Sequence, residues 1–448
     1  TIPSMILRIF DRDDAGELLG RKPLDEFPVS AAMRARTIAT FGEDLAPDEV
    51  VRRILRDVRE RGDAALIEWT RRLEGVELTP ERFALEDLDL AGAYDAIDPE
   101  VVAALEQAAE RIAEFHARIP AQSWMNTDMG GLLGQVIRPL DRVGIYIPGG
   151  SAPLASTLLM TAIVARQAGV EEIVVCAPPM RATGQPHPLI QVAADLAGAT
   201  EVLCLGGVAA IGAMAYGTES IDRVDKIFGP GNTFVMLAKK QVYGVVGIDA
   251  LPGPTETVIV ADEEANPAWV AADLLAQAEH TTGTAILVTP SRALAVKVGQ
   301  AIESQVAALP EASATEIRDS FTHRSGAVIT GSLAEAVAVG DAFAPEHLCL
   351  SVREPWAWLD GIRHAGGVFM GEHSYEVLGD YCAGPSHVMP TGGTARFTPP
   401  CNVMDFMRVM NVIALDESTA RGLAPVAIKL AEAEGLSAHA AAARLRLK

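Results

Sequence analysis

From Asp48 onward the apolar positions Val51, Ile54, Leu55 and Val58 recur at i, i+3, i+4 and i+7, the spacing that turns one stripe of a helix toward a core. A second helical run covers 62–73. A third, 101–116, carries its acidic and basic residues on what reads as the wet face. Helices therefore dominate the first hundred residues. At Arg142 the texture changes: short apolar runs at 143–147, 172–176 and 201–205 alternate with longer Ala-rich helical stretches, the form that βαβ units around a parallel sheet take in sequence. The alternation resumes with runs at 257–260, 285–288 and 326–329. Two α/β domains fit this pattern better than one. No solenoid-period repeat or low-complexity tract interrupts it, and an Ala-rich helical tail over 419–448 has the character of a segment that docks on a neighbour.

Composition narrows the function classes. The 448 residues exceed what one ordinary core organises. Apolar residues at 49% and charged residues at 21% describe a folded globular protein rather than a disordered one. A net charge of −22, from 37 Lys and Arg against 59 Asp and Glu, repels nucleic-acid phosphates and anionic membranes, so neither is an expected partner. The five cysteines (176, 204, 349, 382 and 401) show no CxxC spacing and an odd count, which fits reduced thiols. With no membrane-length apolar run and no signal-peptide pattern in the first residues, the expectation is a cytoplasmic protein.

Three places carry candidate chemistry. The run Pro148-Gly149-Gly150-Ser151-Ala152-Pro153 follows an apolar strand and opens an apolar helix, where backbone N–H groups can meet a pyrophosphate. The GxGxxG fingerprint is absent, so taken alone the loop reads more readily as a plain strand-to-helix turn. Gly229-Pro230-Gly231-Asn232 has the same ambiguity. In a helical run expected over 269–280, Gln277 and His280 stand three apart and share a face, two potential metal ligands needing distant partners, although a lone histidine on a helix is more often a structural residue. Asp380 and His439 supply a carboxylate and an imidazole of the right kind, although each has an ordinary structural explanation, a turn cap and an exposed histidine. Finally, Glu346 and His347 place two general bases side by side just before a strand, although on its own the dipeptide reads more readily as a surface turn.

In their order and wording these pieces resemble the histidinol dehydrogenase family from about Val50 to the C-terminus. The resemblance is carried by RVGIYIPGGSAPLASTLLM, IFGPGNTFVMLAKKQV, LPGPTETVIVAD, LLAQAEH, FAPEHL, LGDYCAGPSHVMPTGGTARF and EAEGLSAH. It implies two incomplete Rossmann-like domains with parallel-rich sheets, a helical N-terminal arm and a helical C-terminal tail. The implied division is an arm over 1–39, a discontinuous first domain over 40–145 and 255–399 with the zinc and catalytic residues, an NAD-binding domain over 146–254, and a dimer-docking tail over 400–448. It implies one Zn2+ per subunit on Gln277, His280, Asp380 and His439, the last reaching across a homodimer with swapped tails. Glu346 and His347 become the catalytic bases, and Ser156, Thr255, His387 and Glu434 join His347 and the zinc ligands as substrate contacts. NAD is placed at Tyr146, Ala209 and Asn232. The implied reaction takes L-histidinol through L-histidinal to L-histidine with two NAD, the last steps of histidine biosynthesis.

Some wording departs from the family. Thr255 replaces a serine, keeping the hydroxyl and adding a methyl, and Ala209 replaces a glutamine that contacts NAD, a loss on the order of 1 kcal/mol. The stretch between Gln241 and Ile248 is short, and PPCNVMDFMRVMNVI is unusual. These leave open a relative acting on another small polar alcohol, such as a sulfonated propanediol, although an acid at Glu434 suits an imidazole or ammonium better than a sulfonate.

Overall fold

The computed structural model describes residues 6–21, 29, 31–85, 88–149 and 153–447. Its strands are β1 (Ile9–Asp11), β2 (Trp124–Asn126), β3 (Leu132–Pro139), β4 (Arg142–Tyr146), β5 (Glu172–Cys176), β6 (Glu201–Leu203), β7 (Lys226–Phe228), β8 (Gly247–Ile248), β9 (Glu256–Ala261), β10 (Thr284–Thr289), β11 (Gly326–Ile329), β12 (His347–Ser351), β13 (Gly367–Met370) and β14 (Met407–Ala414). They form two parallel sheets, ordered β6-β5-β4-β7-β8 and β1-β11-β10-β9-β12-β13, and an antiparallel sheet β14-β3-β2. Counted from β4 in one sheet and from β9 in the other, the strands that follow fall on both sides, giving the order 3-2-1-4-5 of a doubly wound nucleotide-binding fold, with β1 added at the edge beyond β11. Helices cover both faces, so the central strands read as continuous apolar runs; every residue of β9 is buried.

The predicted helices appear as Pro47–Arg61, Asp63–Leu73 and Pro99–His116. The stripe of Val51, Ile54, Leu55 and Val58 is buried, but its partner differs from the grouping read from sequence. The 47–61 helix packs on helices Gly207–Tyr216 and Thr233–Val242, and residues 50–83 share a core with Tyr146, Val174 and Leu203. The first part of the 40–145 segment therefore belongs with the 142–248 sheet rather than with 255–399. An amphipathic stripe says that a helix has a partner without saying which one. The N-terminal arm also supplies β1, an edge strand paired with β11, besides its helices.

The antiparallel sheet was absent from the sequence reading. β14 pairs along its length with β3, from Met407 opposite Pro139 to Ala414 opposite Leu132, and then leads into helices Glu417–Ala433 and Ser437–Leu445. These two helices pack together around Ala424, Ala431 and Ala440, while Leu423, Val426, Leu430 and Leu445 remain at least half exposed. None of the five cysteines forms a disulfide, and four of them are buried. No helix among the described residues is long and apolar enough to cross a membrane.

Candidate active site

The N-terminal edge of the β9–β12 pair gathers the acid–base groups. The helix after β9, Pro267–Ala278, runs back antiparallel and ends at the same edge, and helix Leu333–Phe343 delivers the chain into β12 there. Ala344 adopts the left-handed region (φ 52°) and Pro345 follows, which stops the helix and starts the strand two residues later. His347 then lies opposite Thr257 of β9.

Glu346 is buried, and its Oε2 accepts from Thr255 Oγ1 (2.6 Å) and the Glu256 N–H (3.1 Å). His347 is buried with Nδ1 3.1 Å from the Glu256 carbonyl oxygen. A carbonyl only accepts, so Nδ1 carries a proton and Nε2 is the nitrogen at which the ring gains or loses its second. That Nε2 lacks a hydrogen-bond partner among the described residues and stands 3.6 Å from Asp380 Oδ1. Glu376, also buried, lies 3.9 Å from His347 Nδ1 and accepts from Thr257 Oγ1.

Burial pushes the Glu346 carboxyl up to about 7 against the opposing His347 charge, and does the same to Glu376. Burial disfavours a cationic His347, but Glu376, Glu346 and Asp380 together pull it up to about 10. Asp380 feels burial too, yet the His347 imidazole 3.6 Å away holds it below the ordinary carboxylate range.

Gln277 is fully buried, with Oε1 3.1 Å from Thr257 Oγ1 and 3.4 Å from Thr255 Oγ1, and its Nε2 has no hydrogen-bond partner among the described residues. The two ends of an amide have the same shape. Turned over, it donates to those hydroxyls and leaves its oxygen as the unpartnered atom, a metal donor. The helix stops at Ala278, so His280 stands in the turn beyond it rather than on its face. Its charge is felt at Asp380, on helix Glu376–Tyr381. His387 links the two halves of the molecule: Nδ1 is 2.6 Å from the Asp380 carbonyl oxygen and Nε2 is 3.0 Å from Thr157 Oγ1, in the helix that follows β4. Ser156 precedes Thr157 in that first turn.

The structure thus assembles Thr255, Gln277, Glu346, His347, Asp380 and His387. It leaves Glu434 and His439 exposed on the tail, with no hydrogen bond or ion pair to the others. No group of three His, Cys, Asp or Glu at metal-holding separation occurs among the described residues of this one chain. An amide oxygen, His280 and Asp380 nonetheless suit zinc as a partial nitrogen and oxygen set that a further imidazole would complete.

At the C-terminal edge of the other sheet, the crevice lies between β4 and β7, where the strand order reverses. Gly229 has φ +108°, and a Cβ there would sit 2.1 Å from the Tyr146 carbonyl oxygen, so only glycine lets the two backbones approach. Buried Lys239 donates to the Gly229 carbonyl (2.9 Å) and pairs with Asp249, which accepts from the Gly229 N–H (2.8 Å). Asn232 caps the next helix, accepting from the N–H groups of Phe234 and Val235. The Tyr146 phenol is buried and accepts from the Gly207 N–H, and Ala209 is buried in the first turn of the same helix. Both therefore shape the crevice from beneath. A Cβ on Gly149 or Gly206 would strike Pro178, so glycine lets the loops after β4 and β6 pack closely against the end of β5. Gly150, Ser151 and Ala152 of the first loop lie outside the described residues.

Sequence reasoning missed five participants: Thr157, Thr257, Glu376 and the pair in which Arg21 holds Glu256 beneath the site. The signals were present. Thr255 and Thr257 alternate in register on one strand face, and Glu376 precedes Asp380 by one helical turn.

Fold and site together define a class, an α/β protein that sets a dinucleotide-type crevice beside a buried acid–base cluster. The profile of the family described as Histidinol dehydrogenase matches residues 42–447. The histidinol dehydrogenase of Deinococcus radiodurans is 51% identical over 427 residues, 95% of this chain and 97% of that protein. That of Thermus thermophilus is 48% identical over 90% and 95% of the two chains. The crystal structure of histidinol dehydrogenase from Elizabethkingia anophelis superposes with a TM-score of 0.89 at 32% identity, covering 99% of this chain and 98% of that one. The chain belongs to the histidinol dehydrogenase family.

Proposed function

We propose that this protein is a zinc-dependent, NAD-linked dehydrogenase that oxidises L-histidinol through L-histidinal to L-histidine, the closing steps of histidine biosynthesis. The observation that carries the reading is the buried Glu346–His347 pair facing Gln277 and Asp380, joined through His387 to the sheet that bears the cofactor-type crevice.

Gln277, His280 and Asp380 would hold zinc, which when bound orients the substrate's imidazole and amine. NAD, held over the crevice at Asn232 and the Gly229 loop, supplies the hydride acceptor. His347, in the neutral form that zinc on Asp380 would favour by engaging one of the carboxylates that hold the ring charged, takes the alcohol proton at Nε2, its ring fixed by the Nδ1 bond to the Glu256 carbonyl. Glu346 keeps Oε1 free of hydrogen-bond donors, because Thr255 and Glu256 both bind Oε2, and this oxygen draws a proton from the water that adds to the aldehyde. Its carboxyl, near 7, is poised for that at neutral pH. Thr255 holds Glu346 in place, and His387 and Ser156 flank the substrate. The exposed Glu434 and His439 complete the substrate and metal contacts in a second copy, as a swapped-tail homodimer requires; the uncovered leucines of the tail support that docking.

The test is NADH formation by the zinc-loaded protein offered L-histidinol or a sulfonated propanediol. Two NADH per histidinol, lost on chelation and restored by zinc, is expected. Turnover of the sulfonate alone would reassign the substrate, and turnover of neither would remove the dehydrogenase reading.

A further inference from the structure

In doubly wound dinucleotide folds, an acid at the end of the second strand of the sheet hydrogen-bonds the adenosine ribose. Here that strand is β5, and it runs out into Ala177-Pro178-Pro179, which offers no acid. The position is not empty of charge, however. Glu74, at the C-terminus of helix Asp63–Leu73, comes in from outside the sheet. A Cβ on Gly206 would meet Glu74 Oε1 at 2.9 Å and Pro178 Cβ at 2.9 Å, so the carboxylate stands between the ends of β5 and β6 beside the helix that begins at Gly207. Its carboxylate accepts no hydrogen bond and forms no ion pair with any described residue. Burial raises its proton affinity, which Arg36 and Arg181 only partly offset. The 47–85 segment, wrapped onto this sheet, thus places an unoccupied acceptor where the fold needs one.

We propose that Glu74 accepts the hydroxyls of the adenosine ribose and selects NAD over NADP. The inference rests on the NAD-linked reading above. A 2′-hydroxyl donates to the carboxylate, whereas a 2′-phosphate meets a like charge in a partly buried setting. Arg36 and Arg181 are the groups that would favour the phosphate instead.

The test uses the full chain and two probes that need neither metal nor alcohol: 5′-AMP and 2′,5′-ADP, titrated calorimetrically. Wild type is expected to prefer 5′-AMP by about tenfold, and Glu74→Gln to lose or invert that preference. In steady-state assays with each dinucleotide, the change is expected in KM rather than kcat. Glu74→Asp, which keeps the charge, is expected to retain the preference should Glu74→Gln fold poorly. Wild type binding 2′,5′-ADP as tightly as 5′-AMP, or a folded Glu74→Gln with an unchanged ratio, overturns the proposal and leaves the dehydrogenase reading intact. Probe binding with the expected ratio but no histidinol-dependent NADH sinks that reading alone. Binding of neither probe sinks both.

Discussion

The two parallel sheets share one strand order and use opposite edges. In the 142–248 sheet the glycine-lined crevice opens at the C-terminal edge between β4 and β7, the switch point where doubly wound sheets bind ligands. In the other sheet the buried bases cluster at the N-terminal edge of β9 and β12, the equivalent pair. The difference follows from what each edge offers. Helix N-termini and glycine backbone at a C-terminal edge suit an anionic pyrophosphate. The N-terminal edge instead presents the end of helix Pro267–Ala278 and the first side chains of two strands, which place carboxylates, an amide and an imidazole within one cluster. His387, bonded to Thr157 on one side and Asp380 on the other, is the seam between them.

The largest effect expected separates the two edges by function. His347→Asn removes the base and should lower kcat by about a thousandfold, within the range for general base catalysis, while 5′-AMP still binds. Glu346→Gln should spare reduction of the first NAD equivalent more than the second, read as NADH formed from histidinol against NADH formed from histidinal. Loss of nucleotide binding in His347→Asn would mean that the edges are not separable.

How much of this was legible in sequence depends on burial. The runs 172–176 and 326–329 became β5 and β11 without adjustment because both faces of those strands are covered. β2 and β14 escaped because they are largely exposed, and β3 because it is only half-buried; in β14 apolar residues are exposed on both faces, Val409 on one and Met410 on the other. The helix expected to reach His280 stops at Ala278 because Thr282 takes φ 69° and Gly283 turns back so closely that a Cβ would lie 2.5 Å from the Gln277 carbonyl. The candidate cluster was legible through family wording rather than spacing, since Thr255, Gln277, Glu346 and Asp380 meet only through parallel strand pairing across 126 positions of sequence. Glu74 carried no local signal at all. Its place depends on where the 47–85 segment docks.

A second test addresses the rigidity of the crevice. Lys239 is 1% exposed in its side chain and holds the Gly229 loop together with Asp249. Lys239→Met strands a buried carboxylate and should cost about 3–5 kcal/mol, seen as a lower urea midpoint, with a raised KM for NAD. The double variant Lys239→Met, Asp249→Leu should recover much of the stability and none of the KM. Full recovery of both would show that the pair braces the core without positioning the loop.

The smallest effect contrasts two buried histidines. His347, ringed by carboxylates, is pulled up to about 10, whereas His116, on the helix Pro99–His116 beside the nucleotide-type sheet, is pushed down to about 4 by burial with neither ring nitrogen partnered. In the unfolded chain His116 takes a proton near 6.5, and in the folded protein it does not until about pH 4. Between those values the unfolded state binds more protons, so stability falls as pH falls. Integrated from pH 7 to 5, this amounts to about 2 kcal/mol. His116→Leu removes the titrating group and keeps an apolar side chain of similar reach, so its urea midpoint should decline less than wild type's over that interval. Parallel declines would show that His116 finds a proton acceptor when charged, and the contrast with His347 would then lie in the number of carboxylates rather than in the presence of any partner.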